Sequence, residues 1–129
     1  MTGVIMDGIR YNVAVVFDSM ERAFELVEGP CSGTAITGTQ IRDILGTGYT
    51  YTMTIEPMPD NEEDYDSFYQ AISKPVDYHT ITVPYNNTTM TYRAAIKSGR
   101  DTYGGHYMNK EHWHTLQVEY NPISLQRTS

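Results

Sequence analysis

Three histidines, His106, His112 and His114, are the residues of this sequence best suited to chemistry. His112 and His114 stand two apart in a β-rich run, a spacing that projects both imidazoles from one strand face, where they can share a metal ion. A metal site needs a third and a fourth ligand at a recognisable position, and the sequence supplies none. The simpler reading makes His112 and His114 polar positions on a strand whose same face continues with Leu116, Val118 and Tyr120, and His106 a loop residue. The acids Glu62, Glu63, Asp64 and Asp66 suggest a divalent-cation cluster. They lack the spacing and central glycine of an EF-hand loop, and acids at a helix start are ordinarily solvated. Cys31, the single cysteine, needs a histidine partner and an electropositive setting to act as a nucleophile, so a passive thiol is expected. No Gly-x-Ser-x-Gly, phosphate-binding loop or dinucleotide glycine pattern occurs, and Gly46-Thr47-Gly48 is too short to count. The chain is expected not to be an enzyme, with no cofactor and no metal.

The elements that carry these residues are mostly strands. Tyr11–Phe17 is a short β-rich run, and Ser19–Val27 reads better as strand than helix. The turn formers Gly29-Pro30-Cys31-Ser32-Gly33 then predict a loop. Tyr49, Tyr51, Met53 and Ile55 alternate with Thr50, Thr52, Thr54 and Glu56, a period of two that predicts one buried face and one meeting water or a neighbour. Pro57-Met58-Pro59 stops this strand. Asp60 or Asn61 can cap a helix over residues 62–73, whose first-turn acids suit the positive end of its dipole. Tyr65, Phe68, Tyr69 and Ile72 form its apolar stripe and Pro75 closes it. Residues 78–85 and 88–96 flank Asn86-Asn87, a pair that tolerates positive φ, and so predict a hairpin. Ser98–Lys110, with Gly99, Gly104 and Gly105, is expected to be a mobile loop. His112–Tyr120 is the closing strand. Strands, one helix and further strands without regular alternation predict a single α+β domain, residues 1–129, built mainly on antiparallel sheet.

Composition narrows the function. Nine Lys and Arg against 16 Asp and Glu give a net charge of −7, which cannot supply the basic surface that gripping phosphates requires. No apolar run reaches the roughly 20 residues of a membrane span. The first residues lack a secretory signal pattern, and a soluble, unexported chain is expected. With one cysteine no intrachain disulfide forms, and stability must come from packing. Uncharged β-branched faces, Thr50, Thr52 and Thr54, Thr80 and Thr82, and Thr88, Thr89 and Thr91, are either solvated or used in assembly.

The order of these segments resembles small tailed-phage proteins of the tail-tube and distal-tail type, from phages and prophages of Gram-positive bacteria. The likeness covers most of the chain. It is carried by an opening hairpin near Gly8-Ile9-Arg10-Tyr11 and by Ile41-Arg42-Asp43-Ile44-Leu45-Gly46-Thr47 leading into Tyr49-Thr50-Tyr51. Asp64-Tyr65 through Phe68-Tyr69, Ile72-Ser73-Lys74-Pro75-Val76 before His79, and Leu116–Tyr120 with Pro122 complete it. The resemblance implies a β-sandwich or barrel-like fold with one flanking helix, used as a virion subunit made in the bacterial host cytoplasm. Such subunits self-associate into rings, commonly hexamers, contact other tail or baseplate proteins, and let DNA pass without binding it specifically. They carry no cofactor and no membrane segment.

The segments 28–40 and 98–110 are the candidates for the arm that stacks rings, and Gly33, Thr37, Gly99, Tyr103, Tyr107 and Trp113 are the expected assembly or binding positions. An acidic ring would repel phosphates at short range, so Glu56, Asp60, Glu62, Glu63, Asp64, Asp101, Glu111 and Glu119 are candidate lumen acids. The competing reading is a monomeric carbohydrate- or peptide-binding module of a baseplate or surface, in which Trp113, Tyr103 and Tyr107 form an aromatic platform.

Overall fold

One strand is too long for a single partner on each edge, and the topology follows from that. β6 (Ile44–Pro57) has 14 residues, roughly 45 Å at about 3.3 Å per residue. Tyr49, Tyr51, Met53 and Ile55 are buried and the intervening threonines half-buried, as their alternation predicts. Along one edge β6 pairs with β2 (Ile9–Val15) through residues 55–57 and then with β3 (Glu21–Glu28) through residues 44–52. Along the other edge it pairs with β10 (Lys110–Pro122), from Leu116↔Ile55 to Tyr120↔Tyr51. The computed structural model describes residues 2–28, 33–34, 40–41, 44–59 and 61–127.

The β6–β10 pairing closes a six-stranded antiparallel barrel. Its strands run β6, β2, β1 (Thr2–Met6), β7 (His79–Tyr85), β8 (Thr88–Ala95) and β10, which returns to β6. Two further strands lie outside the closure: β3 on the first half of β6, and β9 (Gly99–Tyr107) on β10. β4 (Gly33–Thr34) and β5 (Gln40–Ile41) make a separate two-residue pair. Met6, Val13, Tyr51, Ile55, Ile81, Val83, Leu116 and Tyr120 fill the core at 2 % exposure or less.

The single helix, α1 (Glu62–Ile72), packs on β2 and β6. It buries Tyr65, Phe68 and Ile72, with Tyr69 half-buried, which is the stripe its spacing predicts. Each such side chain contributes about 1.5–3 kcal/mol when fully buried. Phe68 meets Tyr11 edge-on at 5.4 Å between centroids. Asn61 occupies the N-cap position without a side-chain capping bond, and Asp60 lies outside the described residues. Asp64 is used differently: its Oδ2 accepts the Asn12 amide at 2.7 Å and so fastens the first helical turn to β2.

The tight turns place residues that tolerate positive φ where the chain needs them. Asp7 and Gly8 (φ 55 and 78) join β1 to β2, and Asn86 (φ 52) turns β7 into β8. Residues 98–110, expected to be a loop, are instead β9 and the turn into β10. Met108 and Asn109 (φ 54 and 62) form that turn. The glycines that suggested a loop belong to an irregular strand. Gly105 has φ 110 and sits opposite His112, where the register slips. A Cβ on Gly99 would lie 3.4 Å from the Gln117 carbonyl oxygen, and one on Gly104 would lie 3.0 Å from the His114 ring.

Two polar features of the core have measurable consequences. His79 is 4 % exposed, and its Nδ1 lies 2.7 Å from Asp7 Oδ2 while the Thr80 amide donates to Asp7 Oδ1 at 2.8 Å. Partial burial works to raise the Asp7 pKa, but the hydrogen bonds from His79 and Thr80 and the nearby charges of His79 and Lys74 outweigh it, and the net direction is down. A depressed carboxyl stabilises the fold above its unfolded pKa of about 3.9, and that stability is lost as pH falls through the folded value. Asp7→Asn, which keeps the positive-φ turn, is expected to flatten the acid side of the stability curve measured by urea unfolding between neutral and acid pH. Tyr120 is fully buried and its hydroxyl has no hydrogen-bond partner among the described residues. Tyr120→Phe is therefore expected to raise stability by up to about 1 kcal/mol, read from the urea midpoint, since an unpaired buried hydroxyl carries a desolvation cost.

Candidate functional site

The chemistry-bearing residues converge where α1 faces the β9–β10 hairpin. The convergence depends on a break in β10. Thr115 takes φ 59, an outlying conformation for a β-branched residue, and the register against β9 slips between His114 and Gln117. Glu56 of β6 holds this break. Its carboxylate accepts the Thr115 amide at 3.0 Å and the Thr115 hydroxyl at 2.9 Å. The face bearing His112 and His114 is therefore not the plain continuation of Leu116, Val118 and Tyr120 that a repeat of two predicts.

Beyond the break lies a cleft of about 400 Å³ lined by Tyr65, Asp66, Tyr69, Gln70, Asp101 and Trp113. Its aromatic wall is Trp113, 42 % exposed, with Tyr103 packed against it at 5.0 Å between ring centroids. Beneath, the Tyr65 hydroxyl donates to Asp101 Oδ2 at 2.9 Å. Burial, then the bond to Asp101 and the surrounding carboxylates, push the Tyr65 phenol far up and keep it a neutral donor. Partial desolvation and the negative charges of Glu62 and Asp101 raise the Asp66 carboxyl as well. The cleft is aromatic and anionic, and among the described residues no Lys, Arg or His lines it.

The histidines are divided. His112 and His114 line a second cleft of about 330 Å³ together with Glu62 and Tyr107, and Trp113 borders both clefts. Their imidazoles have different partners there. His112 stacks on Tyr107 at 3.6 Å, with Nδ1 3.1 Å from Glu62, and its Nε2 lies 2.9 Å from the Tyr107 carbonyl oxygen. His114 Nδ1 lies 2.7 Å from the Thr115 hydroxyl. His106 stands apart, 2.6 Å from Glu111, which also accepts the Tyr103 hydroxyl. Among the described residues no group of three or more His, Cys, Asp or Glu is arranged to hold a metal ion.

The expected aromatic platform is likewise split, with Trp113 and Tyr103 together and Tyr107 on His112. Gly99 and Tyr103 lie within β9 and not in a loop. Gly33 is in β4, while Thr37 and Cys31 lie outside the described residues. Of the proposed lumen acids, Glu56, Glu62 and Asp64 have partners within the chain, and Glu63 is exposed. Sequence reasoning did not assemble Tyr65, Tyr69, Asp66 and Asp101 into one cleft. The spacing of Tyr65 and Tyr69 places them one helical turn apart, but the pairing of α1 with β9 is a long-range contact with no local signal.

No protein-family model matches the chain, and no curated protein matches it in sequence. The Glu56 clamp makes a specific demand. Glu56→Ala leaves the Thr115 amide without its acceptor and is expected to cost about 1–3 kcal/mol in urea unfolding. Because Trp113 is the only tryptophan and lies two residues from Thr115, its emission should shift in the same variant, whereas Glu56→Gln should perturb both less.

Proposed function

We propose that the chain is a structural subunit that associates with copies of itself into a ring, in the manner of the phage tail proteins its sequence resembles, with the ring enclosing a passage for DNA. The observation that carries this reading is the pair of edge strands that lie outside the barrel, each paired along one side only. β3 and β9 end the eight-stranded sheet at opposite limits, and among the described residues the outer edge of each presents backbone donors and acceptors that another chain can complete. The two edges differ, so joining β3 of one copy to β9 of the next is a heterologous contact. Such contacts repeat head to tail and close into rings or continue as filaments.

The β3–β6 ribbon adds apolar surface suited to the same purpose. Arg22 secures its base, donating to Asn86 Oδ1 at 3.0 Å with the guanidinium over the Tyr85 ring. Further out Phe24 is 70 % exposed, and Leu26, Ile44 and Leu45 are exposed as well. Exposed apolar side chains gathered on an edge ribbon are unusual for a monomer and ordinary for an interface. The net charge of −7 suits a wall that DNA passes without adhering. A second reading, a monomeric binding module of a baseplate or surface, has the Trp113 cleft in its favour.

Sedimentation of the purified protein, with negative-stain electron microscopy of the same sample, separates the two readings. Rings or tubes, with a mass that is a multiple of 14.7 kDa, are expected. Phe24→Lys, at a position already exposed, should shift the assembly toward the monomer without lowering the urea midpoint. A species that stays monomeric at all concentrations favours the binding module.

A further inference from the structure

We propose that the cleft between α1 and the β9–β10 hairpin binds an arginine side chain presented by a partner peptide, with Trp113 as the stacking surface and Asp66 and Asp101 as the counter-charges. The inference concerns a site separate from the β3 edge and stands whether or not the chain forms rings.

The shape and chemistry of the cleft select this group. At about 400 Å³ it lies within the range of small-ligand sites, and it is open enough for a side chain to enter from solvent. Trp113 is 42 % exposed, and its cross-strand neighbour Tyr103 packs against its ring at 5.0 Å between centroids. A guanidinium is planar, stacks on an indole face, and retains donors around its rim for carboxylates. Asp101 keeps one oxygen occupied by the Tyr65 hydroxyl, which fixes the orientation of the carboxylate before any ligand arrives. A site whose acceptors are held in this way loses little freedom on binding.

Electrostatics favours a cation over a neutral sugar on the same aromatic wall. Asp66 and Glu62 are one helical turn apart on α1, and Asp101 faces them from β9. Partial desolvation first, and then the negative charges of Glu62 and Asp101, raise the Asp66 carboxyl. Glu62 has a partner in His112, but among the described residues no basic side chain lines the cleft. A bound guanidinium relieves the repulsion around Asp66 and Asp101, and a neutral glycan does not. The primary ammonium of lysine meets the charge requirement but lacks the flat surface that the indole rewards.

Because Trp113 is the only tryptophan of the chain, its emission reports on binding beside it, and the Asp66 and Asp101 variants assign that binding to this cleft and not to the histidine cleft Trp113 also borders. The test is a fluorescence titration of the full chain with a capped Gly-Arg-Gly peptide, run beside the Gly-citrulline-Gly peptide, which keeps the shape and removes the charge, and beside simple methyl glycosides. The expected result is a saturable change with the arginine peptide, weakened by added salt, and at least about tenfold weaker binding to the citrulline peptide. Asp66→Asn and Asp101→Asn should each weaken arginine binding by about tenfold. Both keep the side-chain shape, and the asparagine at 101 can still accept the Tyr65 hydroxyl, so an unchanged urea midpoint confirms that each variant is folded. No saturable response below about 10 mM arginine peptide, a range that even a millimolar site would fill, overturns the proposal. Equal responses to arginine and citrulline, a saturable response to a glycoside alone, or arginine binding unaltered in both Asn variants overturn it too.

Discussion

The backbone ladder between β6 and β10 is the constraint on which the rest of the molecule depends. Five residue pairs, Leu116↔Ile55 to Tyr120↔Tyr51, turn an eight-stranded sheet into a closed six-stranded barrel. Closure places Tyr51, Met53, Ile55, Leu116, Val118 and Tyr120 toward one interior, all at 3 % exposure or less. In a chain of 129 residues with one cysteine, no intrachain disulfide assists this core. The aromatic interior carries a cost: Tyr51 and Tyr92 send their hydroxyls to the Pro84 and Tyr49 carbonyl oxygens, while that of Tyr120 has no partner among the described residues.

Closure also decides what remains outside. β6 outruns the barrel, and the part beyond it pairs with β3 along one edge and bridges Arg127 through Thr47. The segment that follows β10 then covers the glycines of that part. A Cβ on Gly46 would lie 2.5 Å from the Arg127 carbonyl oxygen, and one on Gly48 would lie 3.1 Å from Pro122. The Thr47 amide donates to Arg127 at 2.7 Å, and the Tyr49 amide donates to the Gln126 side chain at 2.9 Å. The glycines at 46 and 48 thus serve a close approach of two chain segments, and this anchors the root of a ribbon whose outer residues Phe24 and Leu26 are exposed.

Much of this was legible from period and punctuation. The Tyr49–Glu56 alternation, the Tyr65–Phe68–Ile72 stripe and the Asn86-Asn87 turn each reflect a local rule, and the structure has a strand, a helix and a hairpin there. β9 was not legible, because Gly99, Gly104 and Gly105 carry a loop's composition while their role is to let an irregular strand lie close to β10. The break at Thr115 was hidden for a related reason. A β-branched residue at φ 59 contradicts its own propensity and persists through bonds to Glu56, which is 59 residues away in sequence. The histidine trio shows the limit of spacing arguments. Two of the three do line one cleft, but ring stacking and carboxylate partners, all set by tertiary contacts, determine what each imidazole does.

The acidic residues show most clearly how one composition serves several ends. As a count they describe only a chain of −7 charge. In the fold Asp64 fastens helix to barrel, Glu56 clamps a strained strand and Asp7 partners a buried histidine. Each of these carboxylates accepts hydrogen bonds from a backbone amide or a side chain, and so is structural. Asp66 differs. It sits beside an aromatic wall with like charges for neighbours, and its carboxyl is raised where that of Asp7 is lowered. An acid that the fold stabilises has its partner within the chain, whereas an acid that the fold leaves among repelling neighbours gains most from a partner outside it. By that contrast Asp7, Glu56 and Asp64 are explained by folding, and Asp66 is the carboxylate left to the proposed recognition site, beside an Asp101 that the Tyr65 hydroxyl already holds in place.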